Sequence, residues 1–160
     1  MEAFGLVRVD DRLIHGQVIA VWGRHLHIDR IVIVDDGVAA DAFMQEVLRL
    51  AAPRDVRLQV VSLAEAIRTL NADAADRERT MILLKSPQAA RELYDGGLHF
   101  EALNIGGVGG RPGRKPVFKN IALSELEIST LRHLHDQGVR ITLLTVPGEK
   151  SKPFAELLGR

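Results

Sequence analysis

Two uninterrupted apolar runs, "IVIV" at 31–34 and "MILL" at 81–84, constrain this chain more than any other feature. A strand with one wet face alternates apolar and polar residues. A strand that is apolar at every position has both faces covered, as in the middle of a parallel sheet with helices on either side. Further strand-like runs lie at Phe4–Val9, Val56–Val61, Ala102–Ile105, Val117–Ile121 and Val139–Val146.

Amphipathic segments separate these runs. Val18, Ile19, Trp22 and Leu26 follow helical spacing, as do Phe43, Val47 and Leu50, and again Leu63, Ala66, Ile67 and Leu70. The spacing predicts that each set forms a stripe facing the core. Helix ends are marked as well. Ser62 and Glu65, and later Ser124 and Glu127, have the spacing of a capping box. Ser86–Pro87 supplies an N-cap and a first-turn proline, Gly96–Gly97 and Gly138 end helices, and a short helix is expected after Pro153.

This alternation predicts an α/β fold: a single open, mostly parallel, doubly wound sheet with helices on both faces, in one domain over 1–160. The rhythm breaks after Ile105, where "GGVGGRPGRKP" leads into another strand-like run. An antiparallel strand is expected near residues 117–121.

Composition narrows the function classes. Lys plus Arg equals Asp plus Glu, 21 each, so there is no basic field to gather nucleic acid, and no nucleic-acid partner is expected. Cysteine is absent, which excludes disulfides, thiolate metal sites and thiol catalysis. No signal-peptide pattern opens the sequence, and the apolar runs are too short to insert in a bilayer. A cytoplasmic protein is the expectation, brought to the inner face of a membrane only by a partner.

In open α/β sheets ligands sit beyond the carboxyl ends of the strands. That rule selects Asp10 to Gly16, Asp35 to Gly37, Ser62, Lys85–Ser86 and Gly106 to Pro116. The first of these concentrates the most chemistry. A helix N-terminus offers free amides and a positive dipole end to an anion, and Gly16 lets backbone approach it. Arg12 adds a planar fork for phosphate oxygens, and a neutral His15 keeps a ring nitrogen free as a nucleophile. Asp10 or Asp11 could orient that ring or hold Arg12. A plainer account remains open: His15 is in register with Val18, Ile19 and Trp22, and "DDR" could be a solvated turn.

The glycine-rich loop matches neither phosphate-loop fingerprint: no G-x-x-x-x-G-K-[ST] exists, and Pro112 falls where a dinucleotide motif needs glycine. Its cations Arg111, Arg114 and Lys115, with Arg8 on the first strand, are candidates to meet a phosphoryl group or an acidic partner. The pairs His25/His27 and His133/His135 point to different sides of a helix, so no metal is expected. "IVIVDDG" has the acidic end of a receiver-domain strand, but the third strand ends Val61–Ser62 without a phosphoacceptor aspartate. Ile14 before His15 likewise argues against an Arg-His-Gly phosphatase or mutase.

"RVDDRLIHGQVIAVWGR" at 8–24 resembles the phosphorylation-site segment of the IIB subunit of the mannose/fructose/sorbose family of bacterial sugar phosphotransferase systems (PTS). The similarity continues through "IDRIVIVDDGVAAD" at 28–41 and "LNIGGVGGRPGRK" at 103–115. The resemblance implies that His15 is the phosphoacceptor, with Arg12 and Asp10 on the family's active-site arginine and loop aspartate. The backbone of Leu13, Ile14, His15, Gly16 and Gln17 would complete the cradle. It also implies a relay from a phosphohistidine of a IIA partner, here a separate chain, to a sugar held by a membrane IIC/IID permease, with no cofactor. Such a carrier should hold His15 on an exposed loop. A regulatory module using the same phosphohistidine without sugar transport is the alternative. The glycine-rich loop departs from the family's usual "NIGGM" at Val108, followed by Gly109–Gly110 and a basic, proline-bearing run. Asp11 has no role in this reading, and the sugar and the oligomeric state are not specified by the sequence.

Overall fold

The structure, a computed structural model, describes residues 4–15, 18–72 and 79–159. Its main sheet runs from edge to edge as β3 (Arg57–Val61), β2 (Arg30–Val34), β4 (Thr80–Leu84), β1 (Leu6–Val9), β5 (Ala102–Ile105), β8 (Arg140–Leu143) and β9 (Lys152–Pro153). Every neighbouring pair is parallel except β8 with β9. The chain lays β2, β3 and β4 on one side of β1 and the later strands on the other. The carboxyl end of β1 is therefore a topological switch point, where crevices form in open sheets.

Residue parity sorts the core into two layers. Val7, Val9, Val32, Val34, Ile82 and Leu84 face one side, where they join Leu70, Leu93, Leu131 and Leu134. Those leucines come from α4 (Leu63–Ala72), α5 (Pro87–Asp95) and α6 (Glu125–Asp136). Leu6, Ile31, Ile33, Met81 and Leu83 face the other, with Ile19 and Trp22 of α1 (Val18–Leu26) and Leu48 of α3 (Ala42–Ala51). All five residues of β2 and of β4 are buried, as continuous apolar runs require. By the same parity Arg8 and Asp10 lie on the α1 side, below Trp22 and the start of the helix.

The caps follow the sequence signals. Ser86 accepts from the Ala89 amide at the start of α5, and Ser124 and Glu127 form a reciprocal capping box on α6. Asp35 caps the short α2 (Asp36–Ala39), and Asp36 accepts from the Leu63 amide at 2.8 Å, so this acidic pair fastens turns. After β9, the short α7 (Ala155–Leu158) follows Pro153.

An antiparallel strand is present near 117–121, as expected, while its bounds and two further expectations are corrected. The run 117–121 is not one continuous strand. It contains the turn of a separate antiparallel hairpin, β6 (Arg114–Phe118) with β7 (Ile121–Ser124), whose Ile121 and Leu123 reach the core. The final strand ends at Leu143 rather than Val146, and the chain returns antiparallel as β9. On α3 only Leu48 is buried, while Phe43 and Leu50 are 76% and 82% exposed and Val47 is exposed too. Helical spacing identifies an apolar stripe but not whether another layer covers it.

Candidate functional site

The site is built on the last residue pair of β1 and the loop that follows. Parallel pairing continues one step past the strand, where the Asp10 amide donates to the Leu84 carbonyl at 2.9 Å. The chain then turns sharply. Leu13 donates to the Asp10 carbonyl, and Asp10 Oδ1 accepts from the Arg12 amide at 3.1 Å, an aspartate side chain replacing a backbone turn acceptor. Leu13 takes the left-handed conformation, φ 58°, and its side chain and that of Ile14 are buried beneath the loop. Two apolar anchors thus fix the segment that carries His15.

His15 Nε2 lies 2.9 Å from Asp10 Oδ2. Asp10 is fully buried and paired with the equally buried Arg8, whose Nη2 donates to the same oxygen at 3.2 Å. The Gly107 amide approaches that oxygen at 3.4 Å. Asp10 Oδ2 accepts from Arg8 Nη2, and a neutral His15 ring that donates to the same oxygen through Nε2 leaves its lone pair on Nδ1. Burial lowers the pKa of Arg8 from its ordinary value, and the charge and hydrogen bond of Asp10 oppose that effect.

Arg8 Nη1 donates to Asn104 Oδ1 and, at 3.1 Å, to the Leu144 carbonyl. The guanidinium lies 5.6 Å from the Trp22 ring centroid, and the indole donates to the Thr145 carbonyl at 2.9 Å. Space for Arg8 exists because residue 106 is glycine: a Cβ there would sit 2.1 Å from Nη2.

Asp11 fastens the glycine-rich loop. Its Oδ2 accepts from the Gly109 amide at 3.0 Å and lies 3.6 Å from Arg114 and 3.9 Å from Arg111. Arg114 in turn makes a two-pronged bond to Glu127, at 2.9 and 2.8 Å, and donates to the Gly109 carbonyl. Burial pushes the Glu127 carboxyl up. The hydrogen bonds from Arg114 and from Ser124, with the charge of Arg114, outweigh it and hold the group below its ordinary range.

Set against the sequence reading, Asp10 and His15 are brought into contact, and Arg12 is exposed at the rim of an open pocket. That pocket is lined also by Asp11, Gly107, Gly109, Arg111, Asn120 and Thr145. His15 is less open than expected, with its side chain 17% exposed. Arg8 cannot meet a partner or a free phosphate, because it is sealed in the core. Arg114 is committed to Glu127 and Gly109 and is nearly buried, whereas Arg111 and Lys115 are exposed. Gly16 and Gln17 lie outside the described residues. Among the described residues no group of three or more histidines and carboxylates converges as a metal site would. His133 instead pairs with Asp95, and His135 packs against Phe154.

Asn104 is a site residue that spacing alone does not single out; its signal is a polar residue on an otherwise apolar strand, two residues before the glycines, and Arg8 is likewise a polar residue among apolar ones on β1. The two are register partners across β1 and β5.

A buried carboxylate in contact with a histidine stands at the switch point of an open α/β sheet, the place where such folds carry their sites. The comparisons name the kind. The family profile described as "PTS system sorbose subfamily IIB component" matches residues 4–160. The chain is 35% identical over 155 residues to the PTS system sorbose-specific EIIB component of Lacticaseibacillus casei, covering 97% of this chain and 93% of that one. It is 33% identical over 156 residues to the PTS system mannose-specific EIIAB component of Escherichia coli, covering 98% of this chain but only 48% of that protein, about half its length. The crystal structure of manxB from Thermoanaerobacter tengcongensis superposes with a TM-score of 0.90 at 33% identity, over 97% of this chain and 94% of the other. The chain belongs to the sorbose-subfamily IIB family of the PTS, whose members are phosphotransferase subunits of sugar systems.

Proposed function

We propose that His15 is the phosphoacceptor of this IIB domain and that Nδ1 is the atom that carries the phosphoryl group. The observation that carries the reading is the 2.9 Å contact of His15 Nε2 with Asp10, a buried carboxylate backed by Arg8. Asp10 fixes the ring with Nε2–H inward, so that the Nδ1 lone pair is the available nucleophile. As the phosphorus–nitrogen bond to the donor breaks and the bond to Nδ1 forms, the donor imidazole leaves. Positive charge develops on the His15 ring, and Asp10 stabilises it. Arg12, at the rim, is placed to neutralise the incoming phosphoryl oxygens. Arg111 adds a second exposed cation to the lining of that pocket. Catalysis of this kind is positioning and charge stabilisation.

IIB domains of this family work between a IIA protein and membrane IIC/IID components. The donor is read as a IIA phosphohistidine on a separate chain and the acceptor as a sugar held by a IIC/IID permease. Among the described residues no helix is long and apolar enough to cross a membrane, so recruitment to the cytoplasmic face would depend on that permease. The relatives' names as sugar-specific components favour transport over a purely regulatory module.

The test is radiolabelling with phosphoenolpyruvate, Enzyme I, HPr and a cognate IIA. One acid-labile, base-stable phosphoryl group per chain is expected, and His15→Ala should abolish it while leaving the fold intact. Full labelling of His15→Ala would end the assignment.

A further inference from the structure

A buried ion pair is an odd thing for a core to keep. Exchange of such a pair for well-packed apolar side chains is often neutral or stabilising, so Arg8 with Asp10 is weak evidence of a stability device. The surrounding bonds point elsewhere. Arg8 donates to Asp10, to Asn104 and to the Leu144 carbonyl, yet among the described residues its Nε has no hydrogen-bond partner. A site optimised for the guanidinium alone would satisfy that nitrogen. This one satisfies the two ends that fix the direction of Nη2.

Asn104 holds the far end. Its Oδ1 accepts from Arg8 Nη1, and its Nδ2 donates to the Leu144 carbonyl at 3.0 Å and approaches the Thr142 carbonyl at 3.4 Å. The amide therefore cannot flip without placing oxygen against oxygen. It is locked to β8, it locks Arg8, and Arg8 faces the oxygen of Asp10 that meets His15. We propose that Asn104 is a positioning residue for the phosphoacceptor: through Arg8 and Asp10 it fixes the His15 ring with Nε2–H inward and Nδ1 outward. The inference rests on the reading of His15 given above, and it extends the site to a buried side chain three contacts away from the ring.

If Asn104 lost its acceptor, Arg8 would be free to turn, and Asp10 Oδ2 would lose the partner that sets its position. The ring could then rotate or exchange tautomers, and the nucleophile would be misplaced for part of the time. A displacement of about 1 Å at a reacting atom can cost about a hundredfold in rate.

The experiment is nitrogen-15 NMR of the imidazoles with the full chain, beside the rate of phosphoryl acceptance from phosphorylated IIA. The wild type should show His15 as one Nε2–H tautomer. Asn104→Leu, similar in size and without an acceptor, should show a mixture of tautomers and at least about tenfold slower acceptance. Asn104→Gln, which keeps donor and acceptor, should recover most of both. A folded Asn104→Leu protein with the wild-type tautomer and rate overturns the proposal. Should that variant not fold, Asn104→Ala, which also removes the acceptor, is read in its place, and an unchanged tautomer there overturns it equally. Because the tautomer is observed without any phosphoryl donor, a failure of His15 to be labelled would be seen separately from a failure of Asn104 to position it.

Discussion

Gly106→Ala is the substitution that the packing at the site makes most severe. The new Cβ would lie 2.1 Å from Arg8 Nη2, 2.2 Å from Cζ and 2.6 Å from Nη1, all inside any allowed contact. An exposed arginine would swing away at little cost. Arg8 is fully buried, is bonded at both ends and has Trp22 over its face, so it must leave its pocket or push β5 aside. Overpacking of a tight core costs about 1–3 kcal/mol, and parting a buried ion pair about 3–5 kcal/mol. A loss of at least about 3 kcal/mol is therefore expected, a large share of the roughly 5–15 kcal/mol that holds a domain folded. Urea unfolding, followed by circular dichroism and by the fluorescence of Trp22, the chain's one tryptophan, measures it. Gly110→Ala is the control, since a Cβ there meets nothing within 4 Å, and it should change stability by no more than about 0.5 kcal/mol. Arg8→Met supplies the decisive comparison. By itself it strands Asp10 and should cost about 3–5 kcal/mol. With the guanidinium gone, however, Gly106→Ala should add less than about 1 kcal/mol, a coupling of at least about 2 kcal/mol between the two positions. Additive effects, or a Gly106→Ala protein as stable as Gly110→Ala, would refute the reasoning.

Glu127 has a folded-state carboxyl held below its ordinary range, so the stability it adds is present above the unfolded value and lost as pH falls through the folded one. Glu127→Gln should cost about 1–3 kcal/mol at pH 7 and flatten the acid limb of a stability-against-pH curve, which denaturant titrations at pH 3 to 7 would record. On α3, Leu48→Ala should cost about 2–5 kcal/mol, while Leu50→Ser and Phe43→Ser should each stay within about 0.5 kcal/mol by thermal melting. The reverse ranking would mean that the apolar stripe of α3 is covered.

Much of the fold was legible because its strongest constraint is local. "IVIV" and "MILL" announce two-face burial without reference to anything distant, and Ser86–Pro87 and Ser124 with Glu127 carry their caps in their own sequence. Asp10 and His15 were legible for the same reason, lying five residues apart in one loop at a strand's end. What escaped depends on register. Arg8 reads as an outward cation until β5 is paired beside it and Asn104 falls opposite. Asp11 gains its role only when the glycine-rich loop returns over β1, 98 residues on. The antiparallel pairing near 117–121 is legible, but the bounds of β6 and β7 are not, because the turn at Lys119–Asn120 carries neither glycine nor proline.

The wiring of Arg8 has a consequence for how the protein comes into being. Its partners lie 96 residues away at Asn104 and 136 away at Leu144, so the pocket closes only after β1, β5 and β8 are side by side. Contacts of such long separation must repay the entropy of large loops and are expected late in folding. A chain still emerging from the ribosome, or one misassembled at β8, would have its histidine but not the bonded amide and guanidinium behind it. On the proposed reading of His15, phosphoryl acceptance therefore reaches its full rate only once β5 and β8 are in place, and an immature copy accepts slowly.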